Sequence, residues 1–173
     1  MDNFKILIDT DELYKKIKHT ANEINKHYGK NELLNIICIL KGGAMYALEL
    51  VKYLKMPIKL EFVRLSSYGN STETSGKVSA VMLQLPDYKN QNVLIVDDIM
   101  DSGLTIKFLK NYINDNCRAK DIKIATMLEK KCARKEEICA DFYSAEVDDK
   151  FLIGFGLDYK GLYCNLNYIA YVE

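Results

Sequence analysis

Two stretches of this 173-residue chain are apolar at nearly every position: NIICIL at 35–40 and NVLIV at 92–96. A strand with one face in water alternates apolar and polar side chains, whereas a strand covered on both faces has no need to. Two such strands demand a layer above and a layer below, and a mostly parallel sheet flanked by helices meets that demand. The rest of the sequence supplies the pieces. Thr10 reads as an N-cap, with Asp11 and Glu12 in the first turn where negative charge is favoured. Leu13, Ile17, Ala21, Ile24 and Tyr28 then recur at helical spacing, and Gly29 follows as the terminating residue. Gly42 and Gly43 turn the chain into a second helix over about 44–54, and a third is expected over about 104–114. Alternation or apolar runs predict further strands at 4–8, 59–65, 78–83, 122–128, 151–155 and 168–172. The expected fold class is therefore α/β.

Composition narrows the partners. Lys and Arg number 24, against 24 Asp and Glu, so the chain lacks the global basic excess of a nucleic-acid binder. No nucleic-acid partner is expected, and any preference for a charged ligand must be built locally. The five cysteines, Cys38, Cys117, Cys132, Cys139 and Cys164, are scattered without a close-spaced metal-ligand pair, which suits a reducing compartment. The N-terminus has no basic segment followed by an apolar one, and no apolar run approaches the roughly 20 residues a membrane helix needs. A cytoplasmic protein with no membrane partner is expected. Nothing in the sequence suggests a repeat or a linker, so residues 1–173 read as one domain.

In parallel sheets covered by helices, ligands bind beyond the carboxyl ends of the strands. Loops of unusual sequence sit at three such ends, after Leu40, Val96 and Leu128. The most informative is the middle one, VLIVDDIMDSGLT at 93–105. An apolar strand runs into two carboxylates, then a short polar turn, then a helix. Free backbone N–H groups at the helix start, with the helix dipole, make an anion site. Asp101, Ser102, Gly103, Leu104 and Thr105 form that turn, and Ser102 and Thr105 add hydroxyl donors. Asp97 and Asp98 repel a bare phosphate but accept hydrogen bonds from hydroxyls or hold a metal. Phosphate on the turn and a diol on the carboxylates together describe a ribose 5-phosphate. A P-loop is excluded, because the only nearby glycine–lysine pair, Gly76-Lys77, has the wrong spacing and Val78 where Ser or Thr is required. A haloacid-dehalogenase pattern is excluded because it needs two aspartates separated by one residue. Taken singly, each residue has a plainer reading as a helix cap or a solvated strand end.

The segment 93–105 is similar over its whole length to the phosphoribosyl-pyrophosphate (PRPP) motif of the purine-salvage phosphoribosyltransferases. Four further segments resemble the hypoxanthine(-guanine) branch: LKGG at 40–43, LSSYGNSTETSG at 65–76, MLEKK at 127–131 and KFLIGFGLDY at 150–159. Their order and spacing agree with that branch along nearly the whole chain. The resemblance implies the type I phosphoribosyltransferase fold, with a small hood and a flexible lid loop over about 66–77. It implies transfer of a 5-phosphoribosyl group from PRPP to a 6-oxopurine, with Mg²⁺ as cofactor, in a homodimer or homotetramer.

Residue roles follow from the same resemblance. Asp97 and Asp98 would face the ribose hydroxyls, directly or through a metal. Asp101 would be the general base or acid beside the purine, and the turn 101–105 would cradle the 5′-phosphate. Lys130 would hydrogen-bond the 6-oxo group and so reject the amino group of adenine. Phe151 would stack on the purine, with Ile99 beside it and the backbone at Leu152 reading its edge. Asp158, also at the purine subsite, would hold the Mg²⁺ that carries pyrophosphate. A non-proline cis peptide is implied between Leu40 and Lys41, with Lys41 and Gly42 against pyrophosphate, and Ser67 and Tyr68 would close over it. Plainer readings stand beside these: Lys130 as a solvated lysine of the EKK run, Phe151 as core, Asp158 as a loop cap, 66–77 as an ordinary surface loop. Two other functions remain open at this point, a xanthine- or guanine-preferring enzyme and a PRPP-binding regulator with weak or no catalysis. One position departs from the family: an arginine that contacts pyrophosphate is replaced here by Cys164, which makes no bidentate phosphate contact.

Overall fold

The structure is a computed structural model that describes residues 4–67, 78–80, 84–133 and 135–172. In chain order the elements are β1 (Phe4–Ile8), α1 (Thr10–Tyr28), β2 (Leu34–Leu40), α2 (Gly43–Leu50), β3 (Ile58–Ser67), β4 (Val78–Ala80), β5 (Asn92–Met100), α3 (Leu104–Asn116), β6 (Asp121–Glu129), β7 (Phe142–Glu146), β8 (Leu152–Ile153) and β9 (Ile169–Val172). The main sheet has the order β4-β3-β2-β5-β6-β7. Strands β3, β2, β5, β6 and β7 run parallel, and β4 pairs antiparallel to β3. A separate antiparallel sheet, β1-β9-β8, forms the hood.

The unbroken apolar runs are explained by what covers them. Leu34, Ile36 and Cys38 of β2 and Leu94 and Val96 of β5 pack with α1 and α2. The intervening Ile37, Ile39, Val93 and Ile95 pack on the other face with Ile106, Leu109 and Ile113 of α3. Each such side chain contributes roughly 1.5–3 kcal/mol on burial, so an unpartnered polar residue at any of these positions would be costly. The hood continues the α1/α2 side of the core through Ile8, Leu152, Phe155 and Ile169. Polar groups also join the layers on this side: Thr20 Oγ1 of α1 lies 3.0 Å from Ser144 Oγ of β7, which in turn donates to the Tyr46 hydroxyl of α2 at 3.4 Å.

Several boundaries differ from the sequence expectation. The cap of α1 is Asp9, whose Oδ1 accepts from the Glu12 N–H at 2.9 Å, and Thr10 is already helical. Helix α2 stops at Leu50 and tightens into a single 3₁₀ turn, Val51–Tyr53, before the chain extends at Leu54. Strand β5 continues past Val96 to Met100 because it stays paired with β6, Asp97 opposite Thr126 and Met100 opposite Glu129. The acidic pair therefore lies within the strand and not in the loop beyond it. The strand expected at 151–155 is only Leu152–Ile153; Gly154 and Phe155 take positive φ (97° and 49°) and end it. Of 78–83, residues 78–80 form β4, and 81–83 lie outside the described residues. Strand β7 was not expected. It is an edge strand with only Ala145 fully buried, so it carries no apolar pattern to read.

The hood is seated on the main sheet by a close backbone approach. Gly156 has φ +105°, and a Cβ there would overlap the Gly42 carbonyl oxygen. Two stability changes follow. Asp9→Ala should cost about 1 kcal/mol in urea unfolding, while Thr10→Ala should cost no more than a few tenths; equal effects would return the cap to Thr10. Gly156→Ala should destabilise by about 2 kcal/mol or more, from left-handed backbone strain plus overlap with another backbone, measured as a lowered urea midpoint with unchanged slope.

Candidate active site

The carboxyl ends of β2, β5 and β6 meet at one edge of the sheet, and the hood segment faces them. At the end of β5 the turn Asp101–Ser102–Gly103 leads into α3. Gly103 is the N-cap residue at φ +83°, a conformation that glycine adopts without a Cβ penalty. No side-chain cap closes the helix start; Ser102 Oγ stands 3.4 Å from the Leu104 N–H. The first turn of α3 carries no acidic residue, so its positive end is uncompensated. In front of it lies a cavity of about 80 Å³ lined by Asp97, Ile99, Asp101, Ser102, Gly103 and Thr105. This volume is about that of two to three liquid waters, room for one tetrahedral anion.

Asp97 and Asp98 are held by backbone donors: the Asp98 N–H donates to Asp97 Oδ1 at 2.9 Å, and the Ile99 N–H donates to Asp98 Oδ1 at 2.7 Å. Burial and the neighbouring Asp98 charge push the Asp97 carboxyl well above the usual carboxylate range. Burial likewise raises Asp98, with a smaller contribution from Asp158. Hydroxyl groups or a cation at this place would relieve the repulsion; a bare phosphate would add to it. Beneath them, burial and the two aspartate charges push the Cys38 thiol up to about 12, so it remains a protonated core residue at neutral pH.

The glycines after β2 have a second purpose beyond turning the chain. A Cβ at Gly42 would overlap the Asp98 carboxylate, and one at Gly43 would stand 3.0 Å from Asp97 Cα. Only glycines let this loop lie against the β5 carboxylates. The Leu40–Lys41 peptide just before them is cis, as the family resemblance implies, and Lys41 is exposed at the mouth of the site.

A second cavity, about 550 Å³, opens beside the first. Lys41, Gly42, Asp98, Ile99, Asp101, Lys130, Phe151, Leu152 and Asp158 all reach it, so three strand ends and the hood contribute to one site. Ile99 and Asp101 line both cavities and form the junction between them. Lys130 follows β6, is only 8% exposed, and donates its backbone N–H to the Met100 carbonyl. Its ammonium is paired with Asp149 Oδ1 at 2.6 Å. Lys130 is therefore not the solvated lysine that its charged surroundings in the sequence allowed. Phe151 is 54% exposed and meets Tyr159 in a T-shaped ring contact, so it is not core. Leu152 is buried in β8. Asp158 is exposed and accepts the Gly161 N–H at 2.7 Å, which orients its carboxylate. Tyr68 and the rest of 68–77 lie outside the described residues, as does the side chain of Ser67.

Four lining residues were not singled out from the sequence: Asp149, Lys150, Gly156 and Leu157. They flank or fall within the KFLIGFGLDY segment, whose position was the only available signal. Cys164 is exposed in the same hood region, and its carbonyl accepts the Gly156 N–H at 2.9 Å. Among the described residues no group of three or more His, Cys, Asp or Glu forms a cage for a metal. Exposed Asp158, facing the same cavity as Asp98, instead fits Mg²⁺, which binds through one or two carboxylates together with water and substrate phosphates.

Known proteins share this arrangement. Residues 5–160 match the phosphoribosyl transferase domain. The chain is 38% identical over 169 residues to the hypoxanthine-guanine phosphoribosyltransferase of Bacillus subtilis, covering 98% of this chain and 93% of that protein. It is 36% identical to a bifunctional TilS/HprT protein of Listeria monocytogenes, across 98% of this chain but only 26% of that longer protein. The crystal structure of a hypoxanthine-guanine phosphoribosyltransferase from Bacillus anthracis superposes with a TM-score of 0.92 at 34% identity, over the full length of both chains. The chain belongs to the phosphoribosyltransferase family, in its hypoxanthine-guanine branch.

Proposed function

We propose that this protein transfers the 5-phosphoribosyl group of PRPP to hypoxanthine and guanine, giving IMP or GMP and pyrophosphate, a purine-salvage reaction. The observation that carries this reading is the junction at Asp101, where an anion-sized cavity meets a ring-sized one. A 5′-phosphate on the N–H groups of the turn 101–105 sets the ribose across Asp97 and Asp98. Its C1′ then points toward the larger cavity, where Phe151 stacks on the base, Lys130 donates to the 6-oxo oxygen, and the backbone at Leu152 reads the base edge.

In the reaction the C1′–oxygen bond to pyrophosphate breaks and a bond from C1′ to N9 of the base forms. Positive charge develops on the ribose, and the Asp97 and Asp98 carboxyls stand beside it in a water-poor setting where electrostatic stabilisation is strong. The ring proton of the base at N7 passes to Asp101, which lines both cavities. Lys41 and the Gly42 backbone face the departing pyrophosphate. Mg²⁺, held by Asp158 and the substrate phosphates, with Asp97 and Asp98 as further carboxylates facing the ribose, would neutralise charge on the leaving group. A lysine donor opposite the 6-position leaves adenine with two donors facing each other, so adenine is rejected.

Pyrophosphate release should be seen with PRPP, Mg²⁺ and hypoxanthine or guanine. Turnover with adenine alone, or with none of hypoxanthine, guanine, xanthine and adenine, would overturn this reading. Asp101→Asn should lower kcat more than tenfold while PRPP still binds, a loss in the usual range for a general base; full activity would remove Asp101 from that role. Cys164→Arg restores the cation found in the family and should lower the KM for PRPP about tenfold, the scale of one charge-assisted phosphate contact. An unchanged KM would show that Cys164 does not face pyrophosphate.

A further inference from the structure

We infer that Asp149 is a positioning residue that aims the Lys130 ammonium at the 6-position of the bound purine; this rests on the reaction proposed above. The two side chains differ sharply in exposure. Lys130 is 10% exposed at its side chain and Asp149 is 71% exposed, yet they meet at 2.6 Å inside the lining of the larger cavity. The exposed partner is the carboxylate, so the pair does not exist to satisfy a buried acid. Its effect is on the lysine.

A lysine head is a point charge on a flexible four-carbon stem, and holding it in one place costs rotamer freedom. A single carboxylate that accepts one of its three N–H bonds restricts the stem before the substrate arrives. The remaining two N–H bonds are left for a carbonyl oxygen. Asp149 is itself fixed from both sides. The Val147 N–H donates to the carbonyl of Glu129, the residue just before Lys130, at 3.0 Å, and the Lys150 N–H closes a tight turn onto the Asp148 carbonyl at 2.8 Å. Phe151 and Leu152 follow at once. The segment 147–152 thus ties the residue that aims Lys130 to those that stack on the base and read its edge, and one rigid stretch sets all three.

The test is Asp149→Asn, which keeps the shape and removes the charge, with Asp149→Glu as the conservative partner. Asn at 149 should raise the KM for hypoxanthine about tenfold, the scale of a lost charge-assisted bond, while the KM for PRPP stays within about twofold. Glu at 149 should recover most of the loss. Calorimetric titration gives a readout that does not depend on turnover: IMP should bind about tenfold more weakly to Asp149→Asn, and ribose 5-phosphate equally well to both proteins. An unchanged or lowered KM for hypoxanthine overturns the inference, as does a parallel rise in both KM values with a lowered melting temperature. Wild-type protein that binds IMP but turns over no hypoxanthine would defeat the proposed reaction and leave the titration to decide on Asp149; wild-type protein that binds no IMP would defeat both.

Discussion

The catalytic end of this molecule depends on three backbones lying closer together than side chains would permit. Gly42 sits against the Asp98 carboxylate, Gly43 against Asp97 Cα, and Gly156 against the Gly42 carbonyl. One contact chain therefore runs from the end of β5, through the loop after β2, to the hood. At Gly156 a Cβ would overlap backbone, at Gly43 it would stand at the 3.0 Å limit from backbone, and at Gly42 it would displace the Asp98 carboxylate. This is how a small antiparallel hood, with few residues of its own in the core, holds a fixed position over the parallel sheet. The ring-sized cavity exists in the gap that this arrangement leaves.

The charge pattern of the site follows from the same geometry. The chain is neutral overall and its proposed substrate is heavily anionic, yet the site is rich in aspartate. In the proposed reaction the anion is bound by backbone N–H groups at the start of α3, whose first turn carries no acidic residue. The aspartates sit where hydroxyls, a proton or a cation must be handled. Burial holds both Asp97 and Asp98 high, with the Asp98 charge adding to Asp97 and the Asp158 charge to Asp98, which favours a partner that brings hydrogen-bond donors or positive charge. Three cationic side chains, Lys41, Lys130 and Lys150, line the larger cavity. Lys130 is kept in place by Asp149 rather than by burial alone.

Much of this was legible in the chain. The two continuous apolar runs required a sheet covered on both faces, and α1 buries the stripe Leu13, Ile17, Ala21, Ile24 and Tyr28 that its spacing predicted. The segment 93–105 pointed to an anion site before any fold was known, because a strand, two carboxylates and a glycine-bearing helix start carry that chemistry locally. Strand β7 was not legible: at the sheet edge it buries only Ala145 and shows no apolar pattern. The cap of α1 was missed by one residue because Asp9 and Thr10 are both good caps, and only backbone geometry chooses between them.

The sequence alone therefore determined the layer architecture, the acidic strand end with its strand-to-helix turn, and the family, since each rests on local pattern: periodicity, the order of motifs and the chemistry of that turn. Tertiary structure alone decided that β5 carries its two aspartates inside the strand, because pairing with β6 extends it to Met100. It also decided that Gly42, Gly43 and Gly156 are spacers between backbones, and that Lys130 is a buried cation paired with Asp149. These contacts join residues about 20 to more than 100 positions apart in the chain. No local pattern encodes a distance of that kind; it appears only when the sheet brings its strand ends to one edge.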